Sequence, residues 1–213
     1  MDERTADNLE LVGGWICLDF ANTATARDEA LRRLRREYLP TYGQLVAWSR
    51  HAGLLAEVET KALLKTAACH PALAAAVFDC AIALRETIYR IFTAIAQDRE
   101  PDSRDLATTN AVLHAALSRL QVIPSAGGFQ WAWVEGEGEL DRMLWPIVRS
   151  AADLLISADL RRVRQCAGEG CDWLFVDTSK NQSRRWCSMS MCGSRVKSSR
   201  YYQRKRAARS AGT

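Results

Sequence analysis

Through most of residues 1–159, apolar side chains recur three and four positions apart, the spacing that lines one face of an α-helix. Thr41 is placed to cap a helix carrying Leu45 and Trp48. Pro71 suits a first helical position, and Leu84, Ile88, Ile91, Phe92 and Ile95 follow it as a helical stripe. Ser103 is placed to cap a helix stacking Leu106, Asn110, Leu113, Leu117 and Leu120 along one face. Another helix is predicted around Leu140–Ile156, with Met143, Leu144, Ile147, Val148, Ala151, Leu154 and Leu155 inward. Pro146 within it predicts a kink or a late start. Two stretches read as extended, each after a Gly-Gly pair: residues 15–20 and 129–134. They could pair with each other or with a third strand.

Beyond Asp159 the pattern changes. Residues 172–177 read as a strand and residues 178–181 as a turn, with Ser183-Arg184-Arg185-Trp186 following. From Ser194 to Ser210 there is neither Pro nor Gly, which permits a helix. The expected fold is mainly α with a few short strands, an α+β chain. It divides into a helical unit over residues 1–159 and a small hairpin-and-helix module over residues 160–213.

Composition sharpens that division. The 213-residue chain is 48% hydrophobic, enough for an ordinary core. No apolar run approaches the roughly 20 residues that cross a bilayer, and the polar, acidic start does not resemble a secretory signal. The expected location is the cytoplasm, where thiols stay reduced. Residues 160–213 carry 13 Lys+Arg against 3 Asp+Glu, whereas residues 1–159 carry 16 against 22. An acidic body with a basic terminus points to a polyanionic partner for the terminus.

The seven cysteines fall into two kinds. Cys17, Cys69 and Cys80 stand singly among apolar residues and are expected to be small buried hydrophobes. Cys166 and Cys171 are separated by four residues, as are Cys187 and Cys192, and fifteen residues lie between the pairs. Two tight turns carrying paired thiolates suit tetrahedral Zn2+, with disulfides and free thiols as the alternatives. The 54 residues after Asp159 hold too few large apolar side chains for a core of their own, a deficit that a structural metal would offset. Four thiolates leave no coordination position for an activated water, so the ion is expected to be structural, one per chain.

Downstream of Cys192, Lys197, Arg200 and Arg204 share one helical stripe, while Arg195, Tyr202, Arg206 and Arg209 share another. A major groove about 12 Å wide admits such a helix. Arg184, Arg185, Arg195, Lys197, Arg200, Arg204, Lys205 and Arg206 are the candidate DNA contacts. Trp173 and Trp186 read most simply as a small core beside the metal. A solvated tail or a protein-interaction helix are the competing readings.

These residues resemble the CGNR zinc-finger proteins, bacterial regulators with an N-terminal ABATE domain. The resemblance rests on Cys166 through Cys171, on Trp173 through Ser179, on Ser183 through Met189 and on Cys192-Gly193-Ser194-Arg195. In the first unit, residues 17–23, Leu84-Arg85-Glu86 and residues 150–155 look like that domain's motifs. Ser194 stands where the family name requires Asn. The resemblance implies a stress-related, zinc-binding and DNA-binding transcription regulator. The alternative is a zinc-stapled protein-interaction module, or a small-molecule-binding protein without DNA binding.

Asp19 and Asn22 are candidates for a small-molecule effector pocket, or for turn and cap chemistry. The three histidines are scattered and no nucleophile motif or phosphate loop appears, so an enzyme is not expected. A homodimer is a plausible arrangement for reading paired half-sites.

Overall fold

A computed structural model describes residues 4–134, 136, 139–198 and 202, with Arg32 described by its backbone alone. The elements are α1 (Ile16–Ala21), a 3₁₀ turn (Glu29–Leu34), α2 (Tyr42–His51), α3 (Glu57–Cys69), α4 (Pro71–Ala96), α5 (Ser103–Leu117), β1 (Leu120–Ser125), β2 (Gly128–Trp133), α6 (Leu144–Ile156), a 3₁₀ turn (Ala158–Arg162), β3 (Val163–Gln165), β4 (Leu174–Val176) and a π-helical turn (Met189–Gly193). The mixed, mainly helical α+β class expected from the sequence is what the chain adopts. No single helix among the described residues is long and apolar enough to cross a membrane.

The 26-residue α4 is the axis of the body. Its stripe of Leu84, Ile88, Ile91 and Phe92 is buried against α1, α5 and α6. Thr41 caps α2 by accepting from the Gln44 amide, and Pro71 opens α4. Helix α6 begins at Leu144, so Pro146 falls in its first turn, where no helical hydrogen bond is lost. Asp102, one residue before the expected Ser103, caps α5. The buried face of α5 runs through Thr109 and Ala116, with Leu113 half-buried, while Leu117 is exposed and Leu120 has passed into β1.

Two expectations are corrected. Residues 15–20 are not a strand: Trp15 is extended and caps a short helix from Ile16. Residues 17–21 are all buried, and a short segment buried all round has no exposed face to reveal its period. Phe129 does lie in a strand, as expected, and of the two pairings left open it takes the third-strand one, β2 pairing with β1 and Val122 standing opposite Trp131. Of the single cysteines, Cys17 is buried and burial pushes its thiol up to about 12, whereas Cys69 and Cys80 are exposed. Those two lie at the end of α3 and on the outer half of α4, where no neighbouring layer covers them.

The C-terminal module does not stand apart. β3 and β4 pair antiparallel, Val163 opposite Val176 and Gln165 opposite Leu174, and pack on α1 and α4. Trp173, Leu174, Phe175 and Val176 join the same core as Leu18, Phe20 and Leu84. The apolar deficit noted in the sequence is thus met partly by sharing the body's core.

Candidate metal centre

Cys166 follows β3, and its amide donates to the Trp173 carbonyl at 2.7 Å, extending the hairpin by one pair. The chain then turns within five residues to Cys171. Gly168 permits this closeness, because a Cβ there would lie 3.2 Å from both the Cβ and Sγ of Cys192. Gly170 adopts φ +67°, a conformation that glycine reaches at little cost. The second pair is set by the π-helical turn. Ser188 Oγ accepts from the Met191 amide, the Cys192 amide donates to the Ser188 carbonyl, and Ser194 Oγ donates to the Met189 carbonyl at 2.9 Å. The hydroxyl of Ser194, the residue that departs from the family name, therefore closes the turn that presents Cys192.

All four sulfurs lie within 4.8 Å of one another and all four cysteines are buried. Cys171 Sγ is 3.6 Å from Cys187 Sγ, and Cys187 Sγ is 3.7 Å from Cys192 Sγ. Tetrahedral zinc–sulfur bonds of about 2.3 Å place sulfurs about 3.8 Å apart, whereas a disulfide requires about 2.0 Å. The donor set fits one structural Zn2+, and Cys166, Cys171, Cys187 and Cys192 would hold it. The Cys166 sulfur also accepts from the Gly168 and Cys187 amides at 3.4 and 3.3 Å, bonds that stabilise a thiolate. Hydrogen bonds from the other three thiols draw Cys166 far below its ordinary range, while Cys171, on the donor side, is pushed up. A divalent cation favours the deprotonated form at every ligand.

The loop between the pairs is braced by Asp177 and Arg184. The buried Asp177 carboxylate accepts from the Ser179 and Arg184 amides at 2.9 and 2.8 Å. Burial pushes its pKa up, but these bonds prevail and hold it below the usual range. The Arg184 guanidinium donates to the Trp186 and Cys187 carbonyls and lies 4.3 Å over the Phe175 ring. Arg184 is thus engaged inside the module. Arg185, Arg195 and Lys197 are exposed, and helical conformation runs from residue 194 to 198. Arg200, Arg204, Lys205 and Arg206 lie outside the described residues.

Asp19 and Asn22 hold backbone in place. Asp19 Oδ1 accepts from the Gly13 amide at 2.7 Å, and burial lifts its carboxyl to about 6 against the pull of the Gly13 and Val12 amides. Asn22 donates through Nδ2 to the Leu174 carbonyl at 2.8 Å and accepts from the Leu174 amide at 2.7 Å. Its side-chain amide thereby imitates a neighbouring strand along β4. Gly13 continues that edge, its carbonyl accepting from the Val176 amide at 2.9 Å. Asp19 Oδ1 and both polar atoms of the Asn22 amide are thus engaged by backbone groups.

A second tie between body and module was not legible in the sequence. Arg85 is fully buried and paired with both Glu37 oxygens at 2.6 and 2.7 Å, and with Glu86 at 2.9 Å. Arg27 bonds Glu86 at 2.8 Å, lies 3.9 Å over the Tyr89 ring, and donates its amide to Asp172 at 2.7 Å. That bond fixes Asp172 at φ 54° directly after ligand Cys171. The pairing of Arg85 and Glu86 with residues near positions 27 and 37 has no local signature.

Residues 14–158 match the ABATE family, described as "Putative stress-induced transcription regulator", and residues 162–205 match the CGNR zinc finger. No curated protein matches the chain.

Proposed function

The chain belongs to the ABATE family and carries a CGNR zinc finger, and from that premise we propose that it is a DNA-binding transcription regulator whose structural Zn2+ fixes a basic helix for insertion into a groove. One observation carries this reading. The turn that delivers Cys192 passes without a break into the helical residues 194–198, on which Arg195 and Lys197 are exposed. A helix launched from a metal ligand is held at a fixed angle, and a fixed angle is what groove recognition requires. Arg185, Arg195 and Lys197, with Arg200, Arg204, Lys205 and Arg206 further along, are the proposed DNA contacts. Arg184 serves as the brace beneath them.

In this reading the protein is a binding protein of the cytoplasm, not an enzyme. The thiolate quartet fills the coordination of its metal and needs a reducing compartment. A homodimer would bury the β1–β2 hairpin, where Val122, Phe129 and Trp131 are exposed. Zinc-loaded protein offered random duplex DNA should enrich a defined motif. Enrichment of none, with the zinc retained, would overturn the proposal in favour of a protein-interaction module.

A further inference from the structure

Beside the metal centre lies a cleft of about 910 Å³ whose lining includes Arg4, Arg33, Arg35, Arg36 and Arg195, with Glu169 as its one carboxylate among the described residues. Its floor is made by Leu34, Tyr38, Trp173 and Met191 together with the buried cysteines. The arginines come from three places. Arg195 follows the π-helical turn, Arg4 precedes the first helix, and the other three belong to the end of the first 3₁₀ turn, which holds Arg33, and the segment that leaves it.

That segment is held firmly. Leu34 packs on Gly170, where an added Cβ would lie 2.9 Å from Leu34 Cδ1. Arg36 makes two hydrogen bonds with Thr25, its amide donating to the side-chain Oγ1 and its carbonyl accepting from the Thr25 amide at 3.0 Å. Tyr38 donates its amide to the Thr23 carbonyl at 3.0 Å, and Glu37 grips the buried Arg85. The backbone is therefore anchored at both ends, while Arg33, Arg35 and Arg36 are exposed along the cleft.

Several arginines elsewhere in the body do meet acids: Arg27, Arg50, Arg85, Arg90 and Arg142 each have a carboxylate within 4.0 Å. Among the described residues, the five guanidiniums of the cleft have none. Five like charges facing one cleft, with no ion-pair partner among the described residues and Glu169 as the one described carboxylate in the lining, form a field that attracts anions. Guanidinium groups suit phosphate oxygens best, through paired hydrogen bonds. Continuity decides which phosphate. Arg195 belongs to this cleft and also to the helix proposed to enter the groove, so an occupant of one runs on into the other.

We propose that Arg4, Arg33, Arg35 and Arg36 form, with Arg195, a phosphate-binding cleft through which the N-terminal domain holds the nucleic-acid backbone beside the zinc module. The inference rests on the DNA-binding reading above and extends it to residues outside the zinc finger. The N-terminal domain then sets part of the affinity while the zinc-mounted helix reads sequence.

The test is a salt titration of duplex DNA binding by the full-length, zinc-loaded chain and by the triple variant R33Q/R35Q/R36Q. Each variant is first checked for one zinc per chain and an unchanged circular dichroism spectrum. Each phosphate contact contributes about 0.9 to the log–log salt slope, so the triple variant should lose about 2 to 3 from that slope and bind about tenfold or more weakly near 100 mM salt. The charge-retaining variant R33K/R35K/R36K should keep most of the slope. If the unaltered protein binds no DNA at any salt concentration, the reading under Proposed function fails. If it binds and the glutamine variant keeps the full slope, the cleft proposal alone is overturned. A lysine variant as weak as the glutamine variant overturns it as well, because the loss is then not one of charge. Protection of the unaltered protein by pyrophosphate, with an unchanged DNA slope in the glutamine variant, would assign the cleft to a small anion instead.

Discussion

In the helical body, α4 alone buries Leu84, Ile88, Ile91 and Phe92. In the C-terminal module, the buried positions from Cys166 to Cys192 include four cysteines, a strand of three residues and Trp173. The body has apolar area enough to hold itself, at about 25 cal/mol for each Å² removed from water. The module does not. Its near end is held by the body, through β4 against α1 and α4, and its far end by the sulfur quartet. The difference teaches where each region will yield: the body to cavities in its core, the module to loss of its metal or of its edge contacts.

The largest effect should come from metal removal. Structural zinc contributes on the order of 10–16 kcal/mol of apparent binding free energy in small modules. Chelation should abolish amide-exchange protection over residues 177–192 while β4 stays protected and α2 to α6 keep their helical circular dichroism. A chelated, zinc-free protein with that protection intact would erase the contrast. Next comes Arg85→Ala. Removing one member of a buried ion pair costs about 3–5 kcal/mol, because a buried charge is left alone. Here Glu37 loses its guanidinium partner while Glu86 keeps Arg27, and both carboxylates are part-exposed, so urea unfolding should register a loss at the lower end of that range, about 3 kcal/mol, in the body, with zinc content unchanged. A smaller loss is expected for Asn22→Ala, which strips the Leu174 amide and carbonyl of their partners. Taken at the lower end of about 1–3 kcal/mol for each unpaired buried group, the two groups cost about 2 kcal/mol, concentrated at the junction. An Asn22→Ala protein with unaltered exchange at Leu174 would show that the body does not hold β4 by this contact.

Much of this was legible in the residues themselves. The helices could be read wherever one face is buried and the other wet, as in α2 and α4. The sulfur quartet could be read because both ligand pairs are local and equal in spacing. Helix α1 could not, since Cys17, Leu18, Asp19, Phe20 and Ala21 are all buried and leave no periodic contrast. Nor could the role of Asn22, whose partner lies 152 positions away. The arginine-rich segment at positions 33–36 does not stand out in the sequence because its net effect is diluted in an acidic body. Only the folded chain sets it across a cleft from Arg195.

The sequence by itself determined the helical class, the metal ligands, the family and the split of charge, because each is written in neighbouring residues or in totals. The tertiary structure alone decided that Asn22 completes an edge of β4, that Arg27 ties the body to the module, and that five arginines from three distant segments line one cleft. Hydrogen bonds and charge pairs act over a few ångströms in space whatever the separation along the chain, so their partners are settled only when the core has closed.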